Sequence, residues 1–364
     1  MLNKKIVLIT TGIILLVTCS AFAPKKEANR QIIDVGGNKI TVIKRDNDVT
    51  SSGPTLDKIN RINEVHAFDW IDEDNILISK ENKTLPKVFT QSGMIYPQNL
   101  YLYNLKTNES KLILESNQNM GNATLSPDKK HVFYKEGTEN LTGFILNLET
   151  KQKVQVTPKD SIYRTEGQWI DNNNVIFSTL PDGIIYSVSL LGKLTQLANA
   201  KGLASNTIKI NNFLYYSMVE KLYKQEIGSL DRKLLRTDVA WLIPSQDKSQ
   251  FALVKHNAKS MQTLTLTDLN GNELKSFAEG SQIMGTSWSR DGLKLAYTVA
   301  AGDNCDSGLF IANVSSGKIV QLAVDIQYIS DSVKWSPSGK RLLTSNFITR
   351  NSKNSFATYI IDLK

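Results

Sequence analysis

Three histidines and two cysteines are the side chains in this 364-residue sequence best suited to metal or nucleophilic chemistry, and their spacing speaks against both. His66, His131 and His256 stand alone, with no His-x-His or His-x-x-x-His pair to grip zinc. Each is expected at the surface or in a turn. Cys305, in Asp303-Asn304-Cys305-Asp306, has no histidine or lysine close in sequence to stabilise a thiolate. The carboxylates Asp69, Asp72, Glu73 and Asp74 crowd one stretch, but they lack the Asp-x-Asp-x-Asn-Gly order of a calcium loop and fit the turn-forming habit of Asp. A serine hydrolase would carry Gly-x-Ser-x-Gly, and the sequence has none. A glycosidase needs two facing carboxylates, which separate structural units could supply, yet no pair stands out. No catalytic residue, metal ligand or cofactor site is therefore expected.

Binding chemistry is better represented. The longest insert, residues 80–98, carries Phe89, Met94, Tyr96 and Pro97. Apolar and aromatic side chains gathered in a loop predict contact with a partner, whether protein, peptide or glycan. The stretches 300–307 and 346–355 are the next candidates. Trp70, Trp169, Trp288 and Trp335 could line an aromatic cage, but they hold the same place in a repeat. Equivalent places do equivalent structural work, so packing between repeats is expected instead.

The elements that position these residues follow from that repeat. Polar turns recur at Trp70-Ile-Asp-Glu-Asp-Asn75, Leu125-Ser-Pro-Asp-Lys-Lys130, Trp169-Ile-Asp-Asn-Asn-Asn174, Pro244-Ser-Gln-Asp-Lys248, Trp288-Ser-Arg-Asp-Gly292 and Trp335-Ser-Pro-Ser-Gly339, with a degenerate copy at Lys209-Ile-Asn-Asn212. Each is followed by a β-rich run: ILIS, VFYK, VIFS, FLYY, FALV, LAYT and LLTS. A second strand then begins near residues 100, 143, 184, 221, 263, 309 and 358, a spacing of about 40–50 that matches one four-stranded propeller blade. No sustained i, i+3, i+4 apolar stripe supports a helical solenoid. The expectation is an all-β chain with seven blades over residues 63–364. The degenerate fourth copy leaves six or eight open.

Leu125-Ser-Pro-Asp-Lys-Lys, Trp288-Ser-Arg-Asp-Gly-Leu-Lys-Leu-Ala-Tyr and Trp335-Ser-Pro-Ser-Gly-Lys-Arg-Leu-Leu resemble the W-S-P-D-G repeat of TolB-type, WD40-like β-propellers. The same repeat occurs in the propeller domain of prolyl oligopeptidase-like enzymes, whose catalytic part has no counterpart here. The resemblance is spread over residues 63–364. It implies a propeller that binds partners through its loops. The other reading is a propeller enzyme, such as a lyase or glycosidase, with a site at the channel mouth.

The run at 357–363 ends the chain with an unpartnered strand edge. Residues 30–43 hold two β-rich runs, 32–35 and 39–43, around Gly36-Gly37-Asn38. One of these runs is expected to pair with 357–363 and close the ring, with 45–58 as a connecting loop. Residues 24–62 are thus read as tether, closing strand and loop.

Residues 1–23 have the form of an export signal: Lys4-Lys5, an apolar stretch, then Leu16-Val17-Thr18-Cys19. That tetrad resembles a bacterial lipobox, in which Cys19 would be acylated, although Thr18 replaces the usual Gly or Ala. Cleavage after Ala21-Phe22-Ala23, or an uncleaved anchor, are the alternatives. All three place the folded part outside the cytoplasmic membrane and tie it to the cell envelope through lipid or leader. The net charge of +8 is scattered, which argues against a nucleic-acid partner.

Overall fold

The computed structural model describes residues 29–364 except 36, 45–52, 91–92, 139–140, 159–160, 258–260, 301–306, 327–330 and 351–352. The leader with Cys19 and the loop with Cys305 lie outside the described residues. Everything described is β-structure and connecting turn, built as seven four-stranded antiparallel blades. Among the described residues, no helix is long and apolar enough to cross a membrane.

The second strand of each blade shows why the ring forms. In Asn75–Glu81 of blade one, Ile76, Leu77, Ile78 and Ser79 are all buried. Successive side chains of a strand point to opposite faces. Ile76 and Ile78 pack with Leu343 and Ile360 of blade seven, while Leu77 packs with Met120, Val132 and Tyr134 of blade two. Each blade is covered on both faces by its neighbours. Its central strands therefore read as continuous apolar runs rather than as alternating ones.

The repeated turns have a shared chemistry. The hydroxyls of Ser126, Ser245 and Ser289 donate to Asp128, Asp247 and Asp291 at 2.6, 2.6 and 2.5 Å. The same oxygens accept the first amides of the next strand, from His131, Gln250 and Lys294, at 3.0, 3.0 and 2.9 Å. Three of the four repeat tryptophans bond to the neighbouring blade, while Trp335 is buried with its Nε1 unpartnered among the described residues. Nε1 of Trp70, Trp169 and Trp288 donates to the carbonyls of Lys334, Thr124 and Ile243, each in the preceding blade, at 3.0, 3.1 and 3.2 Å. Degenerate blade four is present, with a two-residue Asn211-Asn212 turn between Ser205–Ile210 and Phe213–Met218.

A strand from the N-terminal part closes the ring, but it is not the expected one. The first three strands are β1 (Asn29–Val35), β2 (Asn38–Lys44) and β3 (Leu56–Asn63). The closing strand is β3, which pairs with Lys353–Leu363 from Leu56↔Leu363 to Asn63↔Ala357. Thr55 and Lys364 seal its end with reciprocal backbone bonds of 3.0 and 2.8 Å. Residues 45–58 are thus not all loop. β1 and β2 form a hairpin that instead extends blade six, through Val42↔Ala323, to a six-stranded sheet. Val35, Ile40 and Val42 bury there with Leu309, Ile311 and Leu322. The physical reason for the difference is burial. An outermost strand has one face in water, so in LDKINRIN only Ile59 is fully buried and the sequence gives little apolar signal.

Candidate partner-binding face

The antiparallel order within each blade sorts the connections. Serine-bearing turns lie at one face of the ring. Turns between second and third strands, and the crossings between blades, lie at the other. That crossing face carries the predicted insert. Within it, Val88–Thr90 and Gly93–Ile95 form a two-stranded hairpin in which Phe89 sits opposite Met94. Directly opposed residues share a face, and Phe89 is 80% and Met94 56% exposed. Tyr96 is half-buried and lies under the Lys87 ammonium, 5.2 Å from its ring centre. Of the three predicted contact residues, two form an exposed apolar pair and one supports the stem.

The stem is fixed by residues that sequence reasoning missed. Asn82 is buried and donates through Nδ2 to Asn99 Oδ1 (3.0 Å) and Glu115 Oε2 (3.1 Å). Its Oδ1 accepts the Thr84 hydroxyl at 2.6 Å, and its amide donates to the Pro97 carbonyl at 2.8 Å. A polar pair such as Asn82 and Asn99 is unremarkable in sequence, because only burial turns it into an anchor.

Beside this insert stands the longest hairpin of the molecule, Arg341–Arg350 with Lys353–Leu363. The 346–355 stretch is thus strand rather than loop over most of its length. Phe347 is 50% exposed and meets Phe356 edge-on at 5.5 Å. Phe356 stacks on His66 at 3.9 Å, and the His66 Nε2 is bonded to the Asp331 carboxylate. His66 is therefore no surface or turn residue. It sits in the first strand of blade one, with 12% of its side chain exposed. Among the described residues, no serine, threonine or cysteine hydroxyl or thiol bonds its imidazole. His131 opens a second strand and meets Asn147 at 3.2 Å; His256 ends one, 3.5 Å from Glu220.

The acidic stretch is structural. Asp72 accepts the amides of Asp74 and Asn75 (2.8 and 2.9 Å), Asp69 pairs with Lys129 and Asp74 with Lys106. Glu73 bridges to blade seven, where it accepts the Ser338 amide (2.5 Å) and Arg341 Nη2 (2.7 Å). Burial pushes its carboxyl up, but those bonds outweigh burial and hold it below the usual range. Among the described residues, no group of three or more His, Cys, Asp or Glu could hold a metal ion.

One seam between blades departs from the repeat. The residue three after the first buried position of each second strand is Ser79, Lys135, Ser178, Ser217, Val254, Thr298 and Ser345 around the ring, all buried. Lys135 is the one charged member. Its Nζ finds only the Asn122 carbonyl, at 3.4 Å, and lies 5.2 Å from the centre of the Phe133 ring. Burial pushes the ammonium down to about 7, with Glu166 pulling it back up and Arg164 pushing it further down. Glu166 is itself buried and pushed up by burial; its Oε2 accepts the Ser178 amide and hydroxyl, each at 3.0 Å, while Oε1 meets no partner at hydrogen-bond geometry among the described residues. In six of the seven β-rich runs the fourth letter carries this signal in plain view; in blade four the residue follows the run, at Ser217.

No known family's sequence profile matches the chain. No curated protein is similar to it in sequence. Solved structures do share its fold. An oligogalacturonate lyase in complex with manganese superposes with a TM-score of 0.61 at 14% identity, covering 93% of this chain and 96% of that one. The β-propeller domain of Cps50 (Swd1) from Myceliophteria thermophila gives 0.56 at 10% identity, over 86% and 100%. TolB from Acinetobacter baumannii gives 0.50 at 16% identity, over 71% and 65%. At these identities the likeness shows the fold: the chain is a seven-bladed β-propeller with TolB and WD40-type propellers among its structural neighbours.

Proposed function

We propose that this propeller is a non-catalytic binding or scaffold protein of the cell envelope that holds a protein, peptide or glycan partner on its crossing face. The observation that carries this reading is the Phe89–Met94 pair: two large apolar side chains held in water on a hairpin whose stem is pinned by buried amides. Exposed apolar side chains on a rigid support suit recognition, because little freedom is lost when they are covered. Phe347 on the neighbouring hairpin adds a third. The envelope address rests on residues 1–23, with Cys19 as the proposed acylation site.

The oligogalacturonate lyase among the structural neighbours favours a second reading, a propeller enzyme. That protein was solved with manganese, whereas the described residues here offer no cluster of metal-ligating side chains. Among the described residues the donor set does not fit such an ion.

The test is a photo-crosslinking amino acid at position 89 of the full chain in its native envelope. One dominant adduct, lost when Met94→Ser is added, is expected. Adducts spread over many proteins, or none, would remove the insert from consideration. Separately, Cys19→Ala should abolish acyl labelling and release the protein from the membrane; retention without any acyl label in the unaltered protein would reject lipidation.

A further inference from the structure

We propose that a cleft between the N-terminal hairpin and blade seven is a binding site for a small organic carboxylate, read by Arg61. The cleft holds ≈ 290 Å³ and is bounded by β2, by the segment that follows blade six and by three strands of blade seven. Its charged centre is Arg61, on β3, the strand that closes the ring. Arg61 Nε and Nη1 are buried and have no hydrogen-bond partner. Nη2 makes no bond among the described residues either. It is not among the buried nitrogens, and Arg61 lines the cleft.

An arginine in this state is unusual. A guanidinium carries five donors and stays charged, and a buried charge is normally paired. The one compensation present is the Tyr359 ring, its cross-strand partner, 5.8 Å from Arg61 Cζ. Cation–π contact offsets part of the desolvation but satisfies no donor. Asp325 borders the same cleft, but its Oδ2 is taken by the Thr41 amide at 2.6 Å, and it forms no ion pair with Arg61. An anion in the cleft would meet the accessible Nη2 and offset a charge that the described residues leave unpaired.

The remaining walls define the rest of the ligand. Ile40, Ile326 and Ile348 join Tyr359 in lining the space. An isoleucine-bearing wall beside the Arg61 guanidinium, with Lys39 as a second cation and Asn38 and Asn346 also on the lining, suits a small amphiphilic acid whose carboxylate meets Arg61 and whose hydrocarbon or aromatic body meets the isoleucines. Asp325 disfavours a doubly charged group at the same place. This site does not depend on the partner reading of the crossing face. The hairpin that caps it does, however, have a use beyond widening blade six.

The probes are benzoate and hexanoate, titrated calorimetrically into the full chain purified in detergent, with inorganic phosphate and benzylamine as comparisons. Saturable binding of both carboxylates is expected, with phosphate weaker and benzylamine absent. Arg61→Met should weaken carboxylate binding roughly 10- to 100-fold, the range for losing a hydrogen bond to a charged group. Should Arg61→Met disturb β3, Ile348→Trp fills the cleft without touching the arginine and should block both probes equally. Absence of carboxylate binding, binding that survives Arg61→Met or Ile348→Trp, tighter binding of phosphate, or equal binding of benzylamine would each overturn the proposal.

Discussion

Two seams of this ring do the same job with different chemistry. Where blade seven meets blade one, Ser345 and Thr358 are completely buried and fully partnered. Ser345 Oγ accepts the Ala67 amide at 2.9 Å, Thr358 donates to the Val65 carbonyl at 2.7 Å, and the two hydroxyls lie 2.9 Å apart. Where blade two meets blade three, the Ser345 position is Lys135, held by one long bond and the field of a half-satisfied Glu166. The first seam closes a ring assembled from both ends of the described chain, and it uses neutral groups that satisfy one another. The second joins blades already linked by sequence, and there the chain tolerates buried charge. Satisfied hydroxyls give specificity at little risk, whereas partly satisfied ions are costly to keep and sensitive to pH.

The comparison breaks most severely if the closing seam is opened. Deleting residues 1–63 removes β3 and with it the pairing from Leu56↔Leu363 to Asn63↔Ala357. The expected loss exceeds about 4 kcal/mol, beyond what single substitutions usually reach. Deleting residues 1–45 removes only the blade-six hairpin and should cost clearly less. Urea midpoints of the two truncations, compared at equal m-value, decide the matter. Equal losses would mean that β3 does not carry the closure.

Next in size is an exchange between the seams. Ser345→Lys places an ammonium where only hydroxyls and carbonyls wait, and should cost about 3–5 kcal/mol, as expected for an uncompensated buried charge. Lys135→Met removes such a charge and should be neutral or stabilising, by up to roughly 1–4 kcal/mol on the same reasoning. Similar losses from both would show that Lys135 is needed for packing rather than tolerated.

pH separates the two ions. Lys135 sheds its proton at about 7 in the fold and near 10.5 when unfolded. Between those values the unfolded chain binds the extra proton, so stability rises with pH through this window. Glu166 is raised by burial, so its contribution runs the other way: stability present in acid is lost as pH rises through its folded value. Lys135→Met should abolish the alkaline rise, at most about 1.4 kcal/mol per pH unit, and Glu166→Gln should abolish the fall. Unchanged slopes between pH 7 and 10 in the Lys135 variant would remove the lysine from the account.

The sequence showed these features unevenly, for physical reasons. Central strands were plain because both of their faces are buried, so ILIS and LLTS read as unbroken apolar runs. The motif turns and tryptophans were plain because their hydrogen bonds recur, the Ser289–Asp291 type in three blades and the Trp288–Ile243 type in three. β3 was missed because an outer strand alternates with water-facing Asp57, Lys58 and Asn60. Phe89 and Met94 were singled out from residue type in an insert, and their exposure is what the structure adds. Arg61, Asn82 and His66 were not, since their meaning comes from burial and from partners far along the chain, Asn99 for Asn82, Asp331 for His66 and Tyr359 for Arg61, that no local pattern announces.

The smallest effect on stability is expected at the face proposed to bind. Phe89→Ser with Met94→Ser alters side chains that are 80% and 56% exposed. Surface changes of this kind usually stay within about 0.5 kcal/mol. The stem bonds of Asn82 do not involve either residue, so the hairpin should persist and the melting temperature should move by no more than about 1 °C, given how little such an energy shifts a chain this long. Partner capture, by contrast, should fall several-fold, because apolar side chains at the centre of an interface carry much of its energy. A large thermal shift would recast Phe89 and Met94 as packing residues of the insert. Unchanged capture would move the contact to the Phe347 hairpin, and with it the comparison, since that hairpin belongs to the blade that closes the ring.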